Sequence, residues 1–195
     1  MIPTMPLIPW MPTTPLVTMC DPPETIRPRV SFDVGRVLRI GTHDASPLPV
    51  AEEGEIVLRV AKGLSLVRLR DSTIGQRLLS QQYYRHRSAR TPVPPGVYHL
   101  RIPVPGCCGK SFSEQRALLS EREAPAPAAL VVAALLCMRQ CGQPDPLNEL
   151  YTRCAESAAA GHRIVVSWRN GQLFTDIGYN ESEIPNVGLS SVRTS

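Results

Sequence analysis

Between Pro127 and Gly142 the chain reads PAALVVAALLCMRQCG, with no charge before Arg139. A helix drawn through this run has no polar face. A helix apolar all round must be covered on all sides, so the stretch predicts a helix over 127–142 buried between layers. Gly142 and Pro144 stop it, one by allowing a left-handed cap and the other by being unable to continue a helix. The uninterrupted apolar part, 128–138, is too short to span a bilayer. The rest of the 195-residue chain must supply the covering layers. Its hydrophobic content of 43% and charged content of 19% suffice for one domain of ordinary size plus extras.

Residues 1–29 do not contribute. They are Pro-rich and mostly uncharged, with proline at 3, 6, 9, 12 and 15, and predict an extended or disordered tail. No basic segment opens it, and in LVTMC, ahead of Asp21, Thr18 and Met19 replace the small residues of a lipoprotein cleavage box. The expectation is a cytoplasmic protein with reduced thiols and no membrane segment. From residue 30 the texture alternates. VSFDVGRVLRIG (30–41) reads as a strand with a bulge at Gly35. EIVLRVAKGLSLVRLR (55–70) reads as a hairpin turning at Lys62-Gly63, and Ser72 opens a helix in STIGQRLLSQQYYRHR. TPVPPG (91–96) breaks the pattern, which marks 30–92 as a small β-rich region of unknown role.

Beyond the break, GVYHLRIPVP (96–105) alternates as a strand. Ser111 and Glu114 have the spacing of a capping box, predicting a helix over 111–123. After the buried helix, PLNELYTRCAES reads as helical, HRIVVSW (162–168) as a strand, Asn170-Gly171 as a tight turn and QLFT as the return strand. VGLSSVRTS reads as one closing strand. The fold class expected is α+β, with two helices on a small twisted antiparallel sheet.

Recognisable chemistry is sparse. His43, His86, His99 and His162 have no Ser, Cys, Asp or Glu at a spacing that forms a catalytic pair. GCCGKS (106–111) follows a strand and precedes a helix, but lacks the four-residue spacer of a phosphate loop; two turn glycines and a capping serine explain it. The six cysteines fit neither a zinc pattern nor a disulfide framework and read as small buried hydrophobes; Cys137 and Cys141 share a helix face. No metal or cofactor is expected. The net charge of +4 comes almost wholly from Arg, a bias that fits a GC-rich genome. YYRHRSAR (83–90) interleaves Tyr with Arg85, Arg87 and Arg90, a combination that can stack bases and neutralise phosphate, though such a short cluster also reads as a solvated face.

The order of these elements, with Trp168, the Asn170-Gly171 turn, Leu173 and the closing Val187-Gly188-Leu189-Ser190-Ser191-Val192-Arg193, resembles the variable proteins diversified by diversity-generating retroelements. The resemblance covers 95–195. It implies a C-type-lectin-like ligand-display domain of the formylglycine-generating-enzyme type. In that family a reverse transcriptase copies a template with errors at adenines, and the copy replaces the 3′ end of the gene. Asn codons then become almost any codon ending in a pyrimidine. Phe174 through Asn180 are all reachable this way, whereas Trp168, Gln172, Glu181 and Glu183 are not.

The resemblance therefore implies a binding protein and not an enzyme, directed at an unknown protein or other macromolecule. The variable, ligand-contacting positions would be Arg169, Asn170, Phe174, Asp176, Gly178, Tyr179, Asn180, Ser182, Ile184 and Asn186. Trp168, Gly171, Leu173, Gly188 and Leu189 would be scaffold. Alternating Ile164, Val166 and Trp168 leave the opposite strand face free for display, with Phe174 and Tyr179 as rigid anchors. The alternative is a nucleic-acid-associated accessory protein using the cluster at 83–90.

Overall fold

A computed structural model of the chain describes residues 27–80, 87–147, 150–159, 161–180 and 183–195. Most of the Pro-rich tail, Cys20, residues 83–86 of the Arg/Tyr cluster, Ser182 and the side chains of Arg87 and Tyr179 lie outside the described residues. The elements in chain order are β1 (Arg29–Asp33), α1 (Val34–Leu38), β2 (Glu55–Val60), α2 (Leu66–Arg70), α3 (Thr73–Leu78), a 3-10 turn (Arg87–Arg90), β3 (Gly96–Arg101), α4 (Phe112–Ala117), β4 (Ala124–Pro125), α5 (Ala128–Gln140), β5 (Tyr151–Ala159), β6 (His162–Arg169), β7 (Gln172–Tyr179), β8 (Val187–Leu189) and β9 (Ser191–Thr194). The class is α+β, with two sheets ordered β1-β2-β3-β9-β4 and β7-β6-β5-β8.

The apolar run is α5, and Ala128 through Met138 are all buried. It touches β2 of the first sheet, β5 and β6 of the second, and α1 and α2. One continuous core joins Phe32, Ile56, Leu58 and Leu100 to Ile164, Val166 and Leu173 through this helix. Each fully buried Val or Leu contributes roughly 1.5–3 kcal/mol, which makes α5 the main source of cohesion. Pro127 at its N-cap offers no side-chain cap; instead the Glu156 carboxylate, from β5, accepts the Ala128 N–H at 3.0 and 2.9 Å. The 91–96 break leads into β3, which pairs antiparallel with β2, so the core is continuous across it.

Several local expectations give way. The strand from 30 stops at Asp33, whose carboxylate accepts the Arg36 N–H at 2.8 Å and caps α1; Gly35 is helical and packed on the Thr42 carbonyl, not a bulge. No hairpin turns at Lys62-Gly63. β2 is buried along its whole length between β1 and β3, and Leu64 bridges Val93 instead. Ser65 then caps α2, whose Leu66 and Leu69 bury at helical spacing. Ser72 does open α3, which ends at Leu78.

The capping box forms, with Ser111 N–H donating to Glu114 at 2.9 Å, but α4 is only six residues long and does not reach 123. Tyr151–Ala159 is a strand, not a helix, because β6 and β8 both hydrogen-bond to it. The closing segment is two strands rather than one. It breaks at Ser190, leaving β8 parallel to β5 in the second sheet and β9 beside β3 in the first. Ser190, fully buried, holds that crossing through Thr152 Oγ1 at 2.7 Å and by accepting the Ala126 N–H at 2.8 Å.

Candidate functional site

β6 and β7 join at Asn170 and Gly171, with φ of 50° and 74°, the mirror-image turn that suits strand twist. The turn sets Trp168 opposite Leu173, and that register decides which way every later residue points. Ile164, Val166, Trp168, Leu173 and Thr175 face α5, with Trp168 half-buried against the core. Phe174, Asp176 and Gly178 face the other way, opposite Ser167, Val165 and Arg163.

That second face holds a cavity of ≈ 330 Å³. Tyr151, Arg153, Val165 and Val187 line it from the strands; Arg169, Asp176, Ile177 and Gly178 line it from the hairpin; Ile184 and Asn186 line it from the segment leading into β8. Its size is at the lower end for small-ligand pockets. Arg153 is fully buried, and its guanidinium donates to the Lys110 carbonyl and to Gln115 Oε1, both at 2.9 Å. Gln115, equally buried on α4, donates to the carbonyls of Cys107 and Val187, both at 2.9 Å. The capping box that starts α4 thus fixes the floor of the cavity.

Above the floor, the Arg169 guanidinium lies 4.7 Å from the Tyr151 ring and 5.8 Å from the Phe174 ring. These are cation–π distances, so Arg169 is exposed yet held by two aromatic faces. Ile184, 37% exposed, gives an apolar edge; Ile177, 48% exposed, sits opposite Ile164 in register and so on the other side of the strand. Among the described residues, the surface offers the Arg169 guanidinium, the Asp176 carboxylate, the Asn186 amide and apolar edges.

The residues expected to contact ligand divide. Arg169, Asp176, Gly178, Ile184 and Asn186 line the cavity, and Phe174 adjoins it through Arg169. Asn170 sits at the exposed turn, away from it. Asn180 stitches the end of β7 in place, donating to the Gly161 carbonyl at 2.9 Å and accepting the Phe112 N–H at 2.8 Å. Gly178 has little room, since a Cβ there would lie 2.8 Å from Val165 Cγ1. Thr175, within the stretch 174–180 reachable from Asn codons, is buried against the core. Arg153, Gln115 and Tyr151 went unnoticed in the sequence; only the Thr-Arg-Cys alternation at 152–154 hinted that Arg153 leaves the core face.

Among the expected scaffold residues, Leu173 and Leu189 are fully buried, and Gly171 requires its positive φ. A Cβ on Gly188 would come within 2.9 Å of Pro103 Cβ and 3.1 Å of Cys107 Sγ. Cys107, Cys137 and Cys154 are buried; the Cys108 contact and then burial push the Cys107 thiol up, and burial does the same to Cys137 and Cys154. Cys141, by contrast, is exposed at the end of α5 and does not share Cys137's environment. Gly106 and Gly109 take positive φ, and Ser111 is committed to its capping box. Among the described residues no three His, Cys, Asp or Glu side chains gather as metal ligands, and no helix is long and apolar enough to cross a membrane. Compared with known proteins, the chain matches no family model, and no curated protein or solved structure matches it.

Proposed function

We propose that this chain is a ligand-binding protein whose second sheet displays a non-catalytic recognition face, in a C-type-lectin-like C-terminal domain diversified by adenine-directed mutagenic retrohoming. One observation carries the reading. Five of the positions that the resemblance implies are variable, Arg169, Asp176, Gly178, Ile184 and Asn186, surround a single cavity on the sheet face turned away from α5. Asp176, Ile184 and Asn186 stand clear of the core and tolerate exchange of their side chains, while the opposite face and the closing strands hold the fold. Arg169 over Tyr151 and Phe174 supports the same reading, because aromatic platforms with adaptable polar groups are what paratopes use. The ligand is a protein or other macromolecule, met by the apolar edges and the groups within them.

DNA alone tests this. The 3′ end of the gene should recur nearby as an imperfect copy beside a reverse transcriptase. Mismatches should fall at template adenines, within the codons for 169–186, while Trp168, Gly171, Gly188 and Leu189 match. Mismatches spread over all four template bases would refute the mechanism. If no copy exists, the diversification reading is lost.

A further inference from the structure

On the first sheet, away from the recognition face on the second, three residues distant from one another in sequence meet. β3 lies between β2 and β9, and His99 on β3 is the shared neighbour. Its Nδ1 lies 3.3 Å from Glu55 Oε2, and its Nε2 lies 2.7 Å from Ser195 Oγ. Glu55 is 1% exposed, the His99 side chain is 9% exposed, and Ser195 is open to solvent. The order is therefore buried acid, shielded imidazole, accessible hydroxyl. Ser195 is tethered in place by its own N–H, which donates to the Val97 carbonyl at 3.3 Å.

The protons follow from the partners. Burial opposes ionisation of Glu55, but hydrogen bonds from Arg193 and His99 outweigh it and hold the carboxyl below its ordinary value of 4.5. Arg193 donates to Glu55 Oε1 through Nε at 3.1 Å and Nη2 at 2.8 Å. An ionised carboxylate can only accept, so neutral His99 carries its proton on Nδ1 and presents a lone pair at Nε2. The Ser195 hydroxyl donates to that lone pair. A nucleophile, its base and a group orienting the base within hydrogen-bond reach are the geometric signature of an activated serine.

We propose that Ser195 is a nucleophile for small activated esters, with His99 as its general base and Glu55 as the residue that positions His99. In the step, Ser195 Oγ bonds to the carbonyl carbon as its proton passes to His99 Nε2. The ester C–O bond then breaks, and the alcohol leaves with that proton. Water hydrolyses the acyl-serine by the same route, His99 taking the water proton and returning it to Ser195 Oγ. Arg193, held between Glu55 and Glu52, keeps the Glu55 carboxylate in place behind His99. Because Ser195 is exposed, the substrate is one presented from solvent. This site is independent of the recognition face and stands or falls separately from it.

A fluorophosphonate probe on the full chain, with the adduct located by peptide mapping, tests the proposal: Ser195 Oγ attacks phosphorus and fluoride leaves. Labelling is expected at Ser195 in preference to the other serines. Ser195→Ala should abolish it. His99→Ala should slow it by about 10²-fold or more, the usual contribution of a general base, with partial rescue by added imidazole. Charged groups around His99 are Glu55, Glu52 and Arg193, with Arg101 paired to Glu123 further along the face. Glu55→Gln removes the carboxylate that orients the His99 ring, so labelling should slow, with part of the rate restored in Glu55→Asp. A parental labelling rate in a folded Glu55→Gln removes Glu55 from the site. No adduct at Ser195 in the parent chain, or a parental labelling rate in a folded His99→Ala, overturns the proposal.

Discussion

Gly171 and Gly188 are required for opposite reasons. Gly171 has open space around it and a φ of 74°, so a side chain there meets backbone strain and nothing else. Gly188 has ordinary backbone angles, but Pro103, Cys107 and Cys108 close over it within 2.9–3.2 Å of a Cβ. Cys107 cannot yield freely, because its Sγ accepts the Leu189 N–H at 3.1 Å. Gly188→Ala should therefore cost about 1–3 kcal/mol, the range for overpacking, and Leu189→Ala about 2–5 kcal/mol by leaving a cavity. Asp176→Ala, Asn186→Ala and Ile184→Ala, on the recognition face, should each stay within about 0.5 kcal/mol. Urea melts of the five variants check the division. Equal costs for the two groups would mean that the cavity residues hold the fold and are not free to vary. Gly178→Ala belongs with the costly group, since Val165 must move to admit its Cβ.

At the level of elements, what the sequence revealed was whatever short-range pattern determines. α5, the Ser111 box, the Asn170-Gly171 turn and the β3 alternation each depend on residues within a turn or two of one another. β5 escaped because Tyr151–Ala159 has no decisive local period; it is a strand through β6 on one side and β8, over thirty residues later, on the other. Leu64 and Leu66 fit a strand period and Leu66 and Leu69 a helical one, neither decisive over so short a stretch, and Ser65 decides for the helix. The break at Ser190 is invisible in VGLSSVRTS, since both halves are strands. The recognition face was legible along the hairpin but not at its floor, because Arg153 and Gln115 meet only when α4 docks on β5. The Glu55–His99–Ser195 cluster was illegible for the same reason. That docking makes a prediction. Gln115→Ala would strand the carbonyls of Cys107 and Val187 and one partner of the buried Arg153 guanidinium. Leaving such groups unpaired should cost at least about 2 kcal/mol, read by urea denaturation. A loss below that would mean α4 is an ornament on the sheet rather than the support of its floor.

For the whole molecule, the two sheets are bound through α5 and through the crossing at Ser190, and two carboxyls, Glu55 buried and Glu156 half-buried, give the fold opposed responses to acid. On the first sheet, burial raises Glu55, but Arg193 and His99 outweigh it, so its folded value lies below 4.5. A depressed carboxyl contributes stability that is fully present above the unfolded value and lost as pH falls through the folded one. Beside α5, Glu156 behaves in reverse. Burial raises it above 4.5, and the Ala128 N–H it accepts only partly offsets that. The folded state therefore binds the Glu156 proton more tightly than the unfolded state, and the fold loses stability as pH rises from 4.5 through the raised value. Amide replacements separate the two. Glu55→Gln should destabilise more at about pH 7 than at about pH 3, where the unfolded parent takes up the proton and the advantage of the folded carboxylate shrinks. Glu156→Gln should do the opposite, comparing more favourably with the parent at about pH 7 than at about pH 3, because the amide keeps an acceptor for Ala128 without a half-buried charge. Urea melts of both variants and the parent at the two pH values read the signs directly. If both variants moved the same way with pH, the carboxyl that caps α5 would not be the half-buried, charge-penalised group that its place between the sheets makes it.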